Sequence, residues 1–151
     1  MPSDEGRYSL PRWRIMRWLT DVGPDVPADI RAALIAQLFG ALPIFIGGAI
    51  NSVAIAAIIA YRLQTGPLVA WFVLELAICL TRLAILVAAH RATRLHRPTP
   101  TDLHLLFSMA WSLSLGLGAV ASIASGDWLV AMLASMSTAA MIGGICFRNF
   151  G

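Results

Sequence analysis

From Ala32 to Tyr61 no residue carries a charge. About 20 apolar residues suffice for a helix to cross the hydrocarbon core of a bilayer, so this run alone is long enough to span one. Three further apolar stretches follow it. The chain has 151 residues, of which 58% are hydrophobic and 13% charged, where a soluble domain carries roughly 25% charged residues. A water-soluble fold of this length has too little interior to bury so much continuous apolar surface. The expected fold is therefore all-α: a polytopic membrane helical bundle with about four transmembrane helices, plus an N-terminal amphipathic helix at the membrane interface. Its first partner is the lipid bilayer.

The chain divides into a cytoplasmic N-terminal segment, 1–27, and a helical membrane region, 28–151. Within the first, Pro11 to Asp21 place Arg14 and Arg17 on one helical face, with Ile15, Trp18 and Leu19 on another. That is the pattern of a helix lying in the interface, with Trp13, Trp18, Arg14 and Arg17 as anchors. A juxtamembrane linker that adheres to headgroups is the plainer alternative. Pro27, with Asp29 in the following turn, marks a helix start capped by Asp25 or Val26. The spans are expected at about 32–61, 67–89, 103–124 and 128–147. The first exceeds the thickness of the apolar core, and Pro43 with Gly47 and Gly48 is the expected kink. Ser125-Gly126-Asp127 makes the last turn.

All eleven basic residues are arginines, and their distribution sets the expected orientation. Five (Arg7, Arg12, Arg14, Arg17 and Arg31) precede the first span, and three (Arg91, Arg94 and Arg97) lie between the second and third. The first loop holds Arg62 alone, and the third loop none. By the positive-inside rule both termini face the cytoplasm. An all-arginine basic complement is what GC-rich coding produces, which points to a bacterial inner membrane. Trp71 and Trp128 then fall near the outer boundary as interfacial anchors. The same rule accounts for the net charge of +3, so nucleic acid is not an expected partner. Met1 to Thr20 contains no apolar core of a signal peptide.

Glu75 and Arg82 are the two charged side chains well inside a span. Ionisable groups in hydrocarbon are costly, so they turn to the protein interior and are candidates for function. Gln37, Asn51, Ser108 and Ser112 are available as partners. The competing reading is a buried polar knot that fixes helix register. Gly143 and Gly144, four residues after Ala139 and Ala140, permit close helix contact, in ordinary packing or a homodimer face. His90, His96 and His104 cluster around the arginine-rich loop, too shallow for haem ligation, and Cys79 and Cys146 suit packing. The sequence shows no phosphate-binding glycine loop, no catalytic triad and no zinc-protease motif. No cofactor, metal or catalytic residue is expected in this chain.

The stretch Gly143-Gly144-Ile145-Cys146-Phe147-Arg148-Asn149-Phe150-Gly151, Asp25-Val26-Pro27 with Asp29-Ile30-Arg31, and the helix of Glu75 and Arg82 resemble the N-terminal membrane-sensor region of bacterial diguanylate cyclases. The resemblance implies a sensory input module, with cyclic di-GMP synthesis carried by a cytoplasmic domain beyond it. No GG(D/E)EF signature is present, so no catalytic residue carries over, and the expectation is that the natural protein continues past Gly151. The alternatives are an accessory or assembly subunit of a membrane complex and a small dimeric transporter using Glu75.

Overall fold

The computed structural model describes residues 8–21, 23, 26–39 and 42–150, and for Ala28, Ala32, Leu38 and 143–150 it describes the backbone alone. Among the described residues there is no strand. Six helices follow in order: α1 (Arg14–Leu19), α2 (Ala28–Leu38), α3 (Leu42–Leu63), α4 (Gly66–Arg94), α5 (Thr101–Ala124) and α6 (Trp128–Phe150). Three of them, α3, α4 and α5, are long and apolar enough to cross a membrane. The described apolar part of α6 runs from Trp128 to Ile142.

The continuous first span expected at 32–61 is instead two helices, with α2 ending at Leu38 and α3 starting at Leu42. Pro43 explains the break. Inside a helix its ring would clash with the carbonyl of Phe39 and leave that carbonyl without its partner. In the first turn of a new helix the missing N–H costs nothing. Gly47 and Gly48, expected to bend the span, lie within the unbroken α3. Pro27 is the N-cap of α2 and Asp29 sits in its first turn, while Asp25 lies outside the described residues. Arg31 folds back on the entry loop, with Nε donating to Val26 O at 3.1 Å and Nη2 to Gly23 O.

The chain forms two compact units, and α4 and α5 each run through both. Unit 1 comprises 1–42 and 81–109. There the N-terminal segment is tied to the start of α5. Asp102 accepts the amides of Arg12 and Trp13 at 3.0 Å, and Ser9 exchanges hydrogen bonds with Thr99 and Thr101. Phe39 stacks on Tyr8 and on His104, with centroids at 4.5 and 4.6 Å. Unit 2 comprises 43–80 and 110–151. Its core joins Ile59 of α3, Leu68 of α4, and Val130 and Ala134 of α6, with Trp71 and Ala121 against them.

Polar side chains lie buried beside the apolar core, and many large apolar ones lie outside it. Ser52, Glu75, Arg82, Ser114 and Ser122 are buried, while Ile50, Val73, Leu80, Leu113, Val120 and Met136 are exposed. An apolar shell around polar interior groups is stable where the surroundings are hydrocarbon. The apolar window of α4 is 39% buried against 17% in α3 and in α5, so of these three helices α4 is the most enclosed by protein. It is also the helix that bears the two ionisable groups.

Candidate functional site at Glu75

Glu75 lies in the unit 2 part of α4 and is fully buried. Its two carboxyl oxygens each accept one hydrogen bond from α5. Trp111 donates Nε1–H to Oε1 at 2.7 Å, and Ser114 donates its hydroxyl to Oε2 at 2.6 Å. Trp111 and Ser114 are three residues apart, so both reach the same side of α5. A second indole extends the chain of donors, because Trp71 Nε1 lies 3.1 Å from Ser114 O and 3.2 Å from Ser114 Oγ. One turn of α4 separates Trp71 from Glu75, so both meet Ser114 from one face. Both donors to Glu75 are neutral.

Glycines seat the two indoles. A Cβ on Gly118 would overlap the ring of Trp71, and one on Gly48 would stand 3.4 Å from Trp111 Cη2. The Trp71 ring therefore packs closely against α5, and that of Trp111 against α3. Close by in unit 2, Ser52 Oγ lies 3.7 Å from Cys79 Sγ in the buried interior, and Asn51 Nδ2 donates to Ser137 Oγ at 2.8 Å, linking α3 to α6.

Arg82 belongs to unit 1, where it is buried and donates Nη2–H to Ser108 Oγ at 3.2 Å. Ser108 in turn donates to His104 O at 2.7 Å. Of the four partners expected for the buried charges, Ser108 is used by Arg82. Asn51 pairs with Ser137 instead, and Gln37 lies exposed on α2. Trp111 and Ser114 are not among the partners expected from the sequence, and Trp71 is expected as an anchor near the outer boundary. The half-buried Trp71 turns its N–H inward to Ser114. The signal available was the spacing of Trp111, Ser114 and Gly118 on one helix.

Trp13, Trp18 and Trp128 are 47%, 75% and 73% exposed, and Arg14 and Arg17 are exposed beside the first two. The backbones of Gly143 and Gly144 lie within α6, and the side chain of Cys146 lies outside the description. The three histidines have separate surroundings. His90 Nδ1–H donates to Leu86 O at 2.9 Å, His96 takes a left-handed φ of 51° behind α4, and His104 stacks on Phe39. Among the described residues no three His, Cys, Asp or Glu side chains converge as a metal site would require.

No protein-family model, no curated protein and no solved structure matches this chain.

Proposed function

We propose that this chain is the membrane input module of a bacterial signalling protein and regulates a cytoplasmic output domain such as a diguanylate cyclase. In this reading α3, α4, α5 and α6 are four spans of the inner membrane, with both termini in the cytoplasm. α1 lies in the inner interface, its Ile15 and Trp18 in the headgroup layer. The arginine bias of the loops supports that orientation, as does the exposure of Ile15 and Trp18 beside Arg14 and Arg17.

The observation that carries the proposal is the fully buried carboxylate of Glu75, held by two neutral donors from α5. A signal that changes what Glu75 accepts changes the packing of α4 on α5. Such a change biases an output only if the two states make different contacts, and the Trp111, Ser114 and Trp71 bonds are the contacts at stake. α6 carries the bias toward its C-terminal end, and the exposed Ala139 and Ala140 offer its small-residue face for a homodimer.

Glu75→Gln tests this. The carboxamide oxygen still accepts from Trp111, and its NH2 donates to Ser114, so the fold is expected to survive. Cyclic di-GMP made by the full-length gene product is expected to change in Glu75→Gln and in Arg82→Leu cells, with the membrane level of the protein unaltered. Unchanged cyclic di-GMP in both would remove the sensing role.

A further inference from the structure

We propose that the C-terminal end of α4 holds an anionic phospholipid, its phosphate at Arg91 and Arg94 and an acyl chain along Val87 and Leu42. The inference rests on the reading that α4 crosses the membrane.

A groove of about 270 Å³ in unit 1 is lined by Leu42, Val87, His90, Arg91 and Arg94. Val87, Arg91 and Arg94 follow the spacing i, i+4, i+7, so they form one stripe along α4. The stripe is segregated along the helix axis, with the apolar Val87 one turn before Arg91 and two before Arg94. Leu42, at the first turn of α3, adds a second apolar wall. His90 donates Nδ1–H to Leu86 O, which fixes its ring at the groove edge.

Both guanidinium groups are exposed, and among the described residues neither makes a hydrogen bond or an ion pair. The carboxylate of Asp102 is taken by the amides of Arg12 and Trp13. The charge of Arg91 and Arg94 is thus left for an external anion. Their forked N–H groups match a phosphate in two-point geometry. A soluble anion would need a polar cradle, whereas the wall of this groove is mostly carbon. An amphiphile with a phosphate at one end and hydrocarbon at the other fits both halves. A bilayer places such molecules at this depth, since the last turn of a helix longer than the apolar core reaches the headgroups.

The test uses the full chain in nanodiscs of equal phosphatidylglycerol and phosphatidylcholine, with the retained lipids counted by native mass spectrometry. Phosphatidylglycerol is expected to be retained in preference to phosphatidylcholine. Retention is expected to fall roughly fivefold for each guanidinium removed in Arg91→Gln, in Arg94→Gln and in the double variant. Arg91→Lys with Arg94→Lys should keep part of the preference, Arg97→Gln should keep all of it, and Val87→Ser should weaken it. Equal retention of the two lipids by the wild type would overturn the proposal, as would full retention by the double variant. Displacement by excess inorganic phosphate, with Val87→Ser indistinguishable from wild type, would show a bare anion site and overturn it too. Carbonate-resistant insertion is measured first. A chain that inserts but ignores phosphatidylglycerol loses the lipid site alone, whereas one that does not insert loses the membrane reading as well.

Discussion

At the scale of the residue, the site is set by small side chains as much as by Glu75. Gly118 leaves room for the Trp71 indole, and Trp71 reaches Ser114 only because of that room. Gly118→Ala must push the ring away, and overpacking of this kind costs about 1–3 kcal/mol. Gly116, two residues earlier, faces open space. Gly116→Ala is expected to be neutral or to stabilise by up to about 1 kcal/mol through helix propensity. The melting temperature in detergent should therefore fall for Gly118→Ala and not for Gly116→Ala, and equal falls would contradict the seating of Trp71. Ser114→Ala removes the hydroxyl from Oε2, and leaving a buried polar group short of its partner costs about 1–3 kcal/mol. It is expected to lower the melting temperature more than Ser112→Ala, whose side chain is exposed. That Glu75 would turn inward was legible, because a charge has no other stable place in a hydrocarbon-length helix. Its partners were not. The rotation of α5 about its axis decides which indole and which hydroxyl meet the carboxylate, and residue spacing alone leaves that rotation open.

At the scale of the element, the helix ends carry the local chemistry. His96 stands where glycine is usual, with a φ of 51°, and Arg97 N–H closes back on Ala92 O at 2.9 Å, while His96 N–H reaches Thr93 O. This is a Schellman cap with a non-glycine at its left-handed residue. His96→Gly is expected to raise stability by up to about 1 kcal/mol, since the left-handed conformation strains any residue with a Cβ. At the other loop, Gly126 takes a φ of 76° and Asp127 caps α6 by accepting the amides of Leu129 and Val130. Arg62 Nε donates to Asp127 Oδ2 at 2.8 Å, tying the end of α3 to the start of α6. The Arg62 hydrogen bond and the α6 amides hold the Asp127 carboxyl below its ordinary value of 3.8. A lowered folded-state value means that the contribution is complete above about pH 4 and is lost as the pH falls through the folded value. Thermal stability is thus expected to be level from neutral pH to about 5 and to drop below 4 in the wild type. Asp127→Asn should lack this part of the drop, and a wild-type curve superimposable on that of Asp127→Asn would refute the cap. The turn at Gly126 and the starts of α4 and α6 were legible from glycine, proline and acidic residues. The break after Leu38 was not, because a charge-free run looks the same whether one helix or two pass through it. Pro43 marked the irregularity, but it acts by opening a new helix four residues after the carbonyl that it would have orphaned.

At the scale of the whole molecule, the all-helical fold and the long apolar helices were legible from composition and run length, whereas the number of spans depends on α6. α3, α4 and α5 are long and apolar enough to cross. α6 has 23 residues, which at about 1.5 Å each reach about 34 Å, enough for a core of about 30 Å. Serine, threonine and glycine make its sequence less apolar, but Asn51 bonds Ser137, and Thr138 bonds Ala134 O at 2.9 Å. Polar side chains satisfied in this way are tolerated in hydrocarbon. The arginines favour one side for the N-terminal segment and the end of α4, since eight lie before α3, in the last turn of α4 or in the loop after it, whereas only Arg62, in the last turn of α3, borders either alternate loop. Alkaline phosphatase fused after Thr65 or Gly126 is therefore expected to be active, and green fluorescent protein fused after His96 or Phe150 to fluoresce. The fusion after Phe150 decides the matter. Four spans return it to the side of His96, whereas three spans leave it with Gly126, where phosphatase would be active and the protein dark. An active phosphatase at Phe150 would also place the end of α6 away from the cytoplasm, and a cytoplasmic output domain could not be driven through it.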